Sequence, residues 1–224
     1  MAQNGQEEVV AHARSLLLEI DPSQGSESRL RQLDGLAELV FQWGSRINLT
    51  GYRDREGVYG GLILDALEAF STALGVLGGL PPRVVDLGSG AGFPGLPIAI
   101  AAPRTQVVLV EARQRRHHFQ KAACRDLGVG NALPRRGRAE AVEAEPADCV
   151  FAQAVGPLPA VIDLGQRWVE PGGWLVVPTG SILETPVAPS GWSSSLVRHY
   201  GPDRPTGRRS LWLGCRSSAL RDSP

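Results

Sequence analysis

Lysine is almost missing from this chain. Lys121 is the only one among 23 basic residues, and every other is arginine. An equal number of acidic residues, 23, brings the formal net charge to zero, so no global field draws the chain to a polyanion. Cysteine is scarce too: Cys124, Cys149 and Cys215 are far apart, and no two form a CxxC pair. An odd, scattered set argues against a disulfide framework and a structural zinc, and suits small buried apolar residues. No metal site is expected. No apolar run reaches the roughly 18 residues of a membrane span. The opening MAQNGQEEVV is polar and acidic. It lacks the basic-then-apolar layout of a signal peptide, so a cytoplasmic location is expected.

What is present is a packable chain. At 224 residues and 42% hydrophobic content it can build one good-sized core. Apolar positions at helical spacing predict helices over 7–19, 28–46 and 57–75, the last weakened at its start by Gly60 and Gly61. From Arg83 the pattern changes. Short β-branched runs at 83–87, 106–111, 131–136, 147–155 and 172–180 alternate with helical stretches at 93–102, 112–128 and 157–170. That alternation predicts a mostly parallel sheet with crossover helices. Two further strands, 194–201 and 208–216, are expected to flank the turn segment GPDRPTG, and 181–193 reads as a loop near the open end of the sheet. The expected organisation is an N-terminal helical cap over 1–80 and a cofactor-binding domain over 81–224.

The chemistry concentrates in VVDLGSGAGFPG, residues 84–95. In an open parallel sheet the ligand sits beyond the carboxyl ends of the strands, after strand one. A dinucleotide fingerprint starting at Gly88 and Gly90 needs glycine at 93, where this chain has Phe93. The run is instead D-x-G-x-G-x-G, the first motif of class I S-adenosylmethionine (SAM) methyltransferases. SAM carries no phosphate, so the glycines serve close backbone approach rather than an anion cradle. Candidate cofactor residues are Asp86, Gly88, Ser89, Gly90, Gly92 and Phe93 in this loop, with Asp86 placed near the cationic methionine end. Glu111 closes the second strand with Ala112 behind it, and its carboxylate suits the two ribose hydroxyls. Backbone groups of Ala139 and Glu140, in GRAEA, are candidates for the adenine edge.

The longer string GSGAGFPGLPIAI resembles the GidB/RsmG family, which methylates N7 of one guanine in 16S ribosomal RNA. Trp43, Asn48-Leu49-Thr50, Arg53-Asp54, Ile63-Leu64-Asp65 and Gly137-Arg138-Ala139-Glu140 also match the family's pattern. The resemblance implies a class I methyltransferase fold, a Rossmann-like seven-stranded sheet, and SAM as cofactor. It also has gaps. The family's Arg-His is Gly61-Leu62 here, its Asp-Ser is Asp65-Ala66, its Ser-Arg-Ala after strand four is Ala152-Gln153-Ala154, and its Leu-Lys-Gly after strand five is Pro178-Thr179-Gly180.

With the cofactor half kept and basic residues lost from the substrate half, the expected activity is methylation of a small aromatic or heterocyclic metabolite, as in natural-product tailoring. Trp174 and Trp192 suit such a flat apolar substrate, and read equally well as ordinary core or interface residues. The alternative is guanine-N7 methylation of 16S rRNA in the small ribosomal subunit, with Arg113, Arg115, Arg116, Arg135 and Arg136 as the RNA surface. A third possibility is a SAM-binding protein without catalysis. Candidate catalytic residues are Asp65, Gln153 and His199. The late strands could pair between subunits, which leaves a homodimer open.

Overall fold

The computed structural model describes residues 2–44, 46–180, 188–201 and 209–218. Parts of the expected 181–193 loop and of the GPDRPTG turn lie outside the described residues. Three helical segments open the chain: α1 (Ala2–Ile20), α2 (Ser26–Gly44), and a continuous run made of α3 (Arg55–Val58), a π-helical turn (Tyr59–Leu64) and α4 (Asp65–Leu77). The rest alternates: β1 (Arg83–Leu87), α5 (Gly95–Ala101), β2 (Gln106–Glu111), α6 (Gln114–Leu127), β3 (Ala132–Arg136), β4 (Ala147–Ala152), α7 (Leu158–Gly165), β5 (Val169–Thr179), β6 (Trp192–Tyr200) and β7 (Arg209–Arg216).

The seven strands form one sheet in the order β3-β2-β1-β4-β5-β7-β6. β3, β2, β1, β4 and β5 pair in parallel. β7 runs antiparallel between β5 and β6. Alternation along each strand splits the side chains between two apolar layers. Val84, Cys149, Phe151, Val176 and Leu213 face α1, α2 and α4–α6, whereas Val85, Val150, Leu175, Trp168 and Trp212 face α7. The first layer runs without a break from the N-terminal helices into the sheet. Phe70 of α4 meets Phe151 of β4 edge-on, with centroids 6.1 Å apart.

The 23-residue helix Arg55–Leu77 is long and apolar enough to cross a membrane by length and composition. The sequence showed no such unbroken run because Asp65 and Glu68 interrupt it. Here Ile63, Leu67, Phe70 and Ala73 are fully buried in the protein core.

Two boundaries differ from expectation for a packing reason. α7 ends at Gly165 rather than continuing to 170, because the chain turns to bury Trp168, whose Nε1 donates to the Ala139 carbonyl at 3.1 Å. β5 then starts at Val169, opposite Ala147, and accommodates Pro171-Gly172-Gly173 through a register shift before Trp174 pairs with Cys149.

One buried cation ties the N-terminal helices to the sheet domain. Arg29 is 2% exposed. It donates to the carbonyls of Gly25, Leu17, Asp21 and Gln24 around the α1–α2 turn, and at 2.8 Å to Ala101 at the end of α5. Asp21, fully buried beside it, accepts from Ser23 and takes Arg104 at 3.3 Å. Asp21 thus holds the inter-helix turn and also anchors a cation from the α5–β2 connection.

Candidate active site

The carboxyl ends of β1, β2 and β4 meet at the glycine loop. Gly90 has φ +57, and a Cβ built on it would find no atom closer than Arg116 Nη1 at 3.6 Å. Backbone conformation, not crowding, therefore demands glycine there. Gly95 shows the opposite case: a Cβ would overlap Leu109 and come within 2.8 Å of Asp86 Oδ2. Close packing of α5 on the strands sets that position.

Asp86 lies behind the loop and is fully buried. Its Oδ2 accepts the Gly95 N–H at 2.9 Å, and its Oδ1 is buried without a hydrogen-bond partner. Burial pushes its pKa up to about 8, against the lowering effect of the Gly95 bond, with the nearby Glu111 charge adding to the rise. Glu111, 5% exposed, is held by two backbone donors, Gly90 N at 2.9 Å and Arg113 N at 2.6 Å. Both oxygens are thereby oriented, with lone pairs to spare.

Ser89 binds the Val110 carbonyl through its N–H at 3.0 Å. Its hydroxyl accepts from Gln120 Nε2 at 2.8 Å, and the same amide donates to the Gly90 carbonyl at 2.8 Å. Gln120 is fully buried, with Oε1 lacking a partner. Sequence reasoning missed it. The available signal was a polar side chain between Phe119 and Ala123 on the buried stripe of α6. Ala139 is buried and its carbonyl is taken by Trp168, while the Glu140 carbonyl is taken by Arg167. The two oriented Glu111 oxygens, with lone pairs to spare, and a glycine floor with room above Gly90 fit a ligand that brings its own donors to this loop.

A cavity of about 300 Å³ adjoins the loop at the ends of β4 and β5. Val155 joins the two, because its Cγ2 lies 3.0 Å from where a Cβ on Gly88 would stand. Gln153, Ala154, Pro178, Thr179 and Arg209 line it. Ala154 has φ 55, a strained conformation for a residue with a Cβ and one that tends to sit at functional sites. Arg209 comes from the start of β7, outside the sequence candidates, and its Nε stands 3.3 Å from Oδ1 of Asp65, a 3% exposed carboxylate. The structure thus gathers Asp65, Gln153 and Arg209.

It does not bring His199 to them. His199 is exposed on the outermost strand, and its Nδ1 lies 3.0 Å from Ser210 Oγ. With β7 between it and β5, His199 is not among the residues that line the cavity. The tryptophans are also elsewhere. Trp192 is 4% exposed and stacks edge-on against Trp212, with centroids 5.9 Å apart. Trp174 sits at the opposite end of the sheet, beside Pro81 and Asp148.

The profile described as "GidB: rRNA small subunit methyltransferase G" matches residues 29–189. The chain belongs to the GidB family. It is a SAM-dependent methyltransferase. Ribosomal RNA small subunit methyltransferase G of Stenotrophomonas maltophilia (strain K279a) is 37% identical over 178 residues, covering 77% of this chain and 80% of that protein. The protein of the same name from Xanthomonas campestris pv. campestris (strain 8004) is 36% identical over 182 residues, with the same coverages of 77% and 80%. The crystal structure of a mutant of MtNAS superposes with a TM-score of 0.52 at 16% identity, covering 94% of this chain and 87% of that one. That last likeness concerns the fold alone.

These relatives overturn the expected small aromatic metabolite as substrate, and with it natural-product tailoring. The physical error lay in counting cations only at the family's own motif positions, 61–62, 153 and 179. The basic group lining this GidB protein's cavity arrives from β7, while Trp192 is core and Trp174 lies at the far end of the sheet.

Asp86 carries a pH prediction. Its folded pKa of about 8 lies above the ordinary 3.8. The group takes up a proton on folding, so its contribution is fully present below about pH 4 and is lost as pH rises through about 8. Asp86→Asn cannot ionise. Its melting temperature relative to wild type is expected to climb from pH 5 to about pH 8 without cofactor and to level off above that. A difference independent of pH would show that Asp86 is ionised throughout.

Proposed function

We propose that this enzyme methylates N7 of a guanine in the 16S rRNA of the small ribosomal subunit. The observation that carries the proposal is the cavity beside the glycine loop, with Arg209 set on the buried Asp65, in a chain whose relatives bear the name of an rRNA methyltransferase. Its substrate puts its work in the cytoplasm. Residues 1–80 serve as a cap whose Asp65 supports the substrate side, and 81–224 as the cofactor-binding part.

When bound, SAM supplies a methyl group already activated on a sulfonium. The chain's residues hold it through four contacts. Glu111, fixed by Gly90 and Arg113, accepts from the ribose hydroxyls. The Gly88–Gly92 floor carries the methionine part, with Asp86 and Gln120 setting the loop from behind. Phe93 and Ala112 flank it. The N–H groups around Ala139 and Glu140 serve the adenine edge, since their carbonyls are already engaged.

On the substrate side, guanine presents O6 and N7 acceptors along one edge. Arg209 donates to O6, and its seat on Asp65 keeps the guanidinium from turning onto N7. Gln153 and Thr179 offer neutral polar groups across the cavity. N7 has an in-plane lone pair and no proton, so no general base is required. The rate enhancement comes from alignment of that lone pair with the methyl carbon.

The test is transfer of labelled methyl from SAM to small subunits and naked 16S rRNA from cells lacking this modification. Label at N7 of one guanine is expected; label absent from rRNA would overturn the proposal. In the same assay Arg209→Met is expected to lower kcat/KM by about a hundredfold, the loss of one charged hydrogen bond in a shielded site, with the Kd for SAM unchanged. An equal loss of SAM affinity would place Arg209 on the cofactor side instead.

A further inference from the structure

The loop between α2 and α3 carries a large exposed aromatic, Tyr52, at 40% exposure. Two glycines define its seat. A Cβ on Gly57 would stand 2.8 Å from Tyr52 Cδ1, and a Cβ on Gly61 would overlap the far end of the ring at Cζ and the hydroxyl. The ring therefore lies flat along one side of the helix, in space that any other residue at 61 would fill. Neither glycine has the left-handed backbone that would require glycine by itself. Gly61 also costs the helix roughly 1 kcal/mol relative to alanine. What those positions provide is room for the ring.

The seat is rigid and sits between the two halves of the site. Tyr52 N donates to Thr50 Oγ1 at 3.1 Å, and Asp54 caps α3 through Gly57 N at 2.6 Å, which fixes the loop on both sides of the ring. Upstream, the Asn48 carbonyl accepts from Arg116 Nη2 at 3.4 Å, and Nη1 of the same arginine reaches over Gly90 of the cofactor loop. Downstream, Asp65 follows Gly61 by one turn, about 6 Å of helix, and holds Arg209 at the cavity.

The charge around the ring is predominantly basic where it is free. Arg53, Arg113 and Arg115 are exposed on the loop and at the head of α6. The acidic groups nearby are largely engaged: Asp54 in its cap, Asp34 and Glu38 with Arg55. Glu56 is exposed on α3. An exposed aromatic followed by Arg53, with Arg113 and Arg115 exposed at the head of the helix whose Arg116 reaches the same loop, matches single-stranded nucleic acid, which stacks bases on rings and places phosphates on cations.

We propose that Tyr52 is a stacking platform for an unpaired base of the rRNA adjoining the target guanine, with Arg53, Arg113 and Arg115 taking the flanking phosphates. It is a positioning residue, acting on RNA affinity rather than on methyl transfer. This rests on rRNA being the substrate.

The experiment compares wild type, Tyr52→Leu, Tyr52→Phe, Tyr52→Trp and Gly61→Ala in steady-state methylation of small subunits and naked 16S rRNA, with SAM binding and thermal melting measured alongside. Tyr52→Leu is expected to raise the KM for rRNA about tenfold or more, with kcat, SAM affinity and melting temperature near wild type. Phe and Trp should keep most of the affinity, because the ring face is what binds. Gly61→Ala should displace the ring, raising KM in the same direction while the melting temperature holds or rises, and it should add little on top of Tyr52→Leu. The salt dependence of KM should keep its slope in Tyr52→Leu, since a neutral ring releases no counterions.

A wild-type KM in Tyr52→Leu, or a Phe variant as weak as the Leu variant, would overturn the platform while leaving rRNA as the substrate. A KM rise matched by a fall in SAM affinity or melting temperature would make the ring structural and overturn it equally. If wild type labels no rRNA at all, the functional proposal fails first and the platform falls with it.

Discussion

Glu111→Ala is expected to raise the Kd for SAM by about a hundredfold or more, measured by calorimetric titration on the folded protein. The magnitude follows from two ribose hydroxyls donating to the shielded Glu111 side chain, at about 1.5–3 kcal/mol for each such bond. Glu111 also braces the loop by accepting from Gly90 and Arg113, so the variant should lose a few degrees in melting temperature. Glu111→Gln separates the two effects. Its amide oxygen can still accept from one of those N–H groups, while its NH₂ cannot accept from a ribose. Gln should therefore recover more stability than affinity. A Kd within about threefold of wild type in both variants would remove Glu111 from the ribose role.

Arg29→Met is expected to be the most destabilising single change. The guanidinium satisfies carbonyls at the end of α1, in the α1–α2 turn and at the end of α5, all at a site 2% exposed. Methionine fills similar volume but donates nothing, and leaves several buried backbone carbonyls without partners. Breaking a buried charged network of this kind costs about 3–5 kcal/mol, a large share of a typical 5–15 kcal/mol of total stability. At about 2–4 °C per kcal/mol for a chain of this size, the melting temperature should fall by roughly 10 °C. Arg29→Lys should recover little, because one ammonium cannot span donors pointing in several directions. A fall of less than about 2 °C in Arg29→Met would show that water satisfies those carbonyls.

Most of the cofactor half was legible in the sequence because its logic is local. A parallel sheet delivers the last residue of each strand to one edge, so the spacing from Asp86 through Gly92 and the carboxylate at Glu111 already implied a shared site. Asp86, expected to act at the methionine end through the loop or a water, stands behind the loop and holds Gly95. Only the packing of α5 against β1 decides which side of the loop that carboxylate occupies. Gln120 was hidden for a similar reason: helical period marks it as buried, but what it touches depends on how α6 lies on β1 and β2.

The substrate half was hardly legible. Asp65 and Arg209 stand at opposite ends of the chain, and they meet because β7 inserts antiparallel between β5 and β6, with Thr179 opposite Ser210. Tyr52 and Gly61 each look unremarkable alone; the absent Cβ acquires meaning only under the ring. The sequence by itself determined the alternating sheet, the glycine loop and the cofactor, because periodicity and spacing report which face or strand end a residue occupies. Which cation lines the cavity, which histidine lies too far along the sheet to reach it and which arginine joins the two halves were decided by tertiary structure, since partners distant along the chain leave no periodic trace.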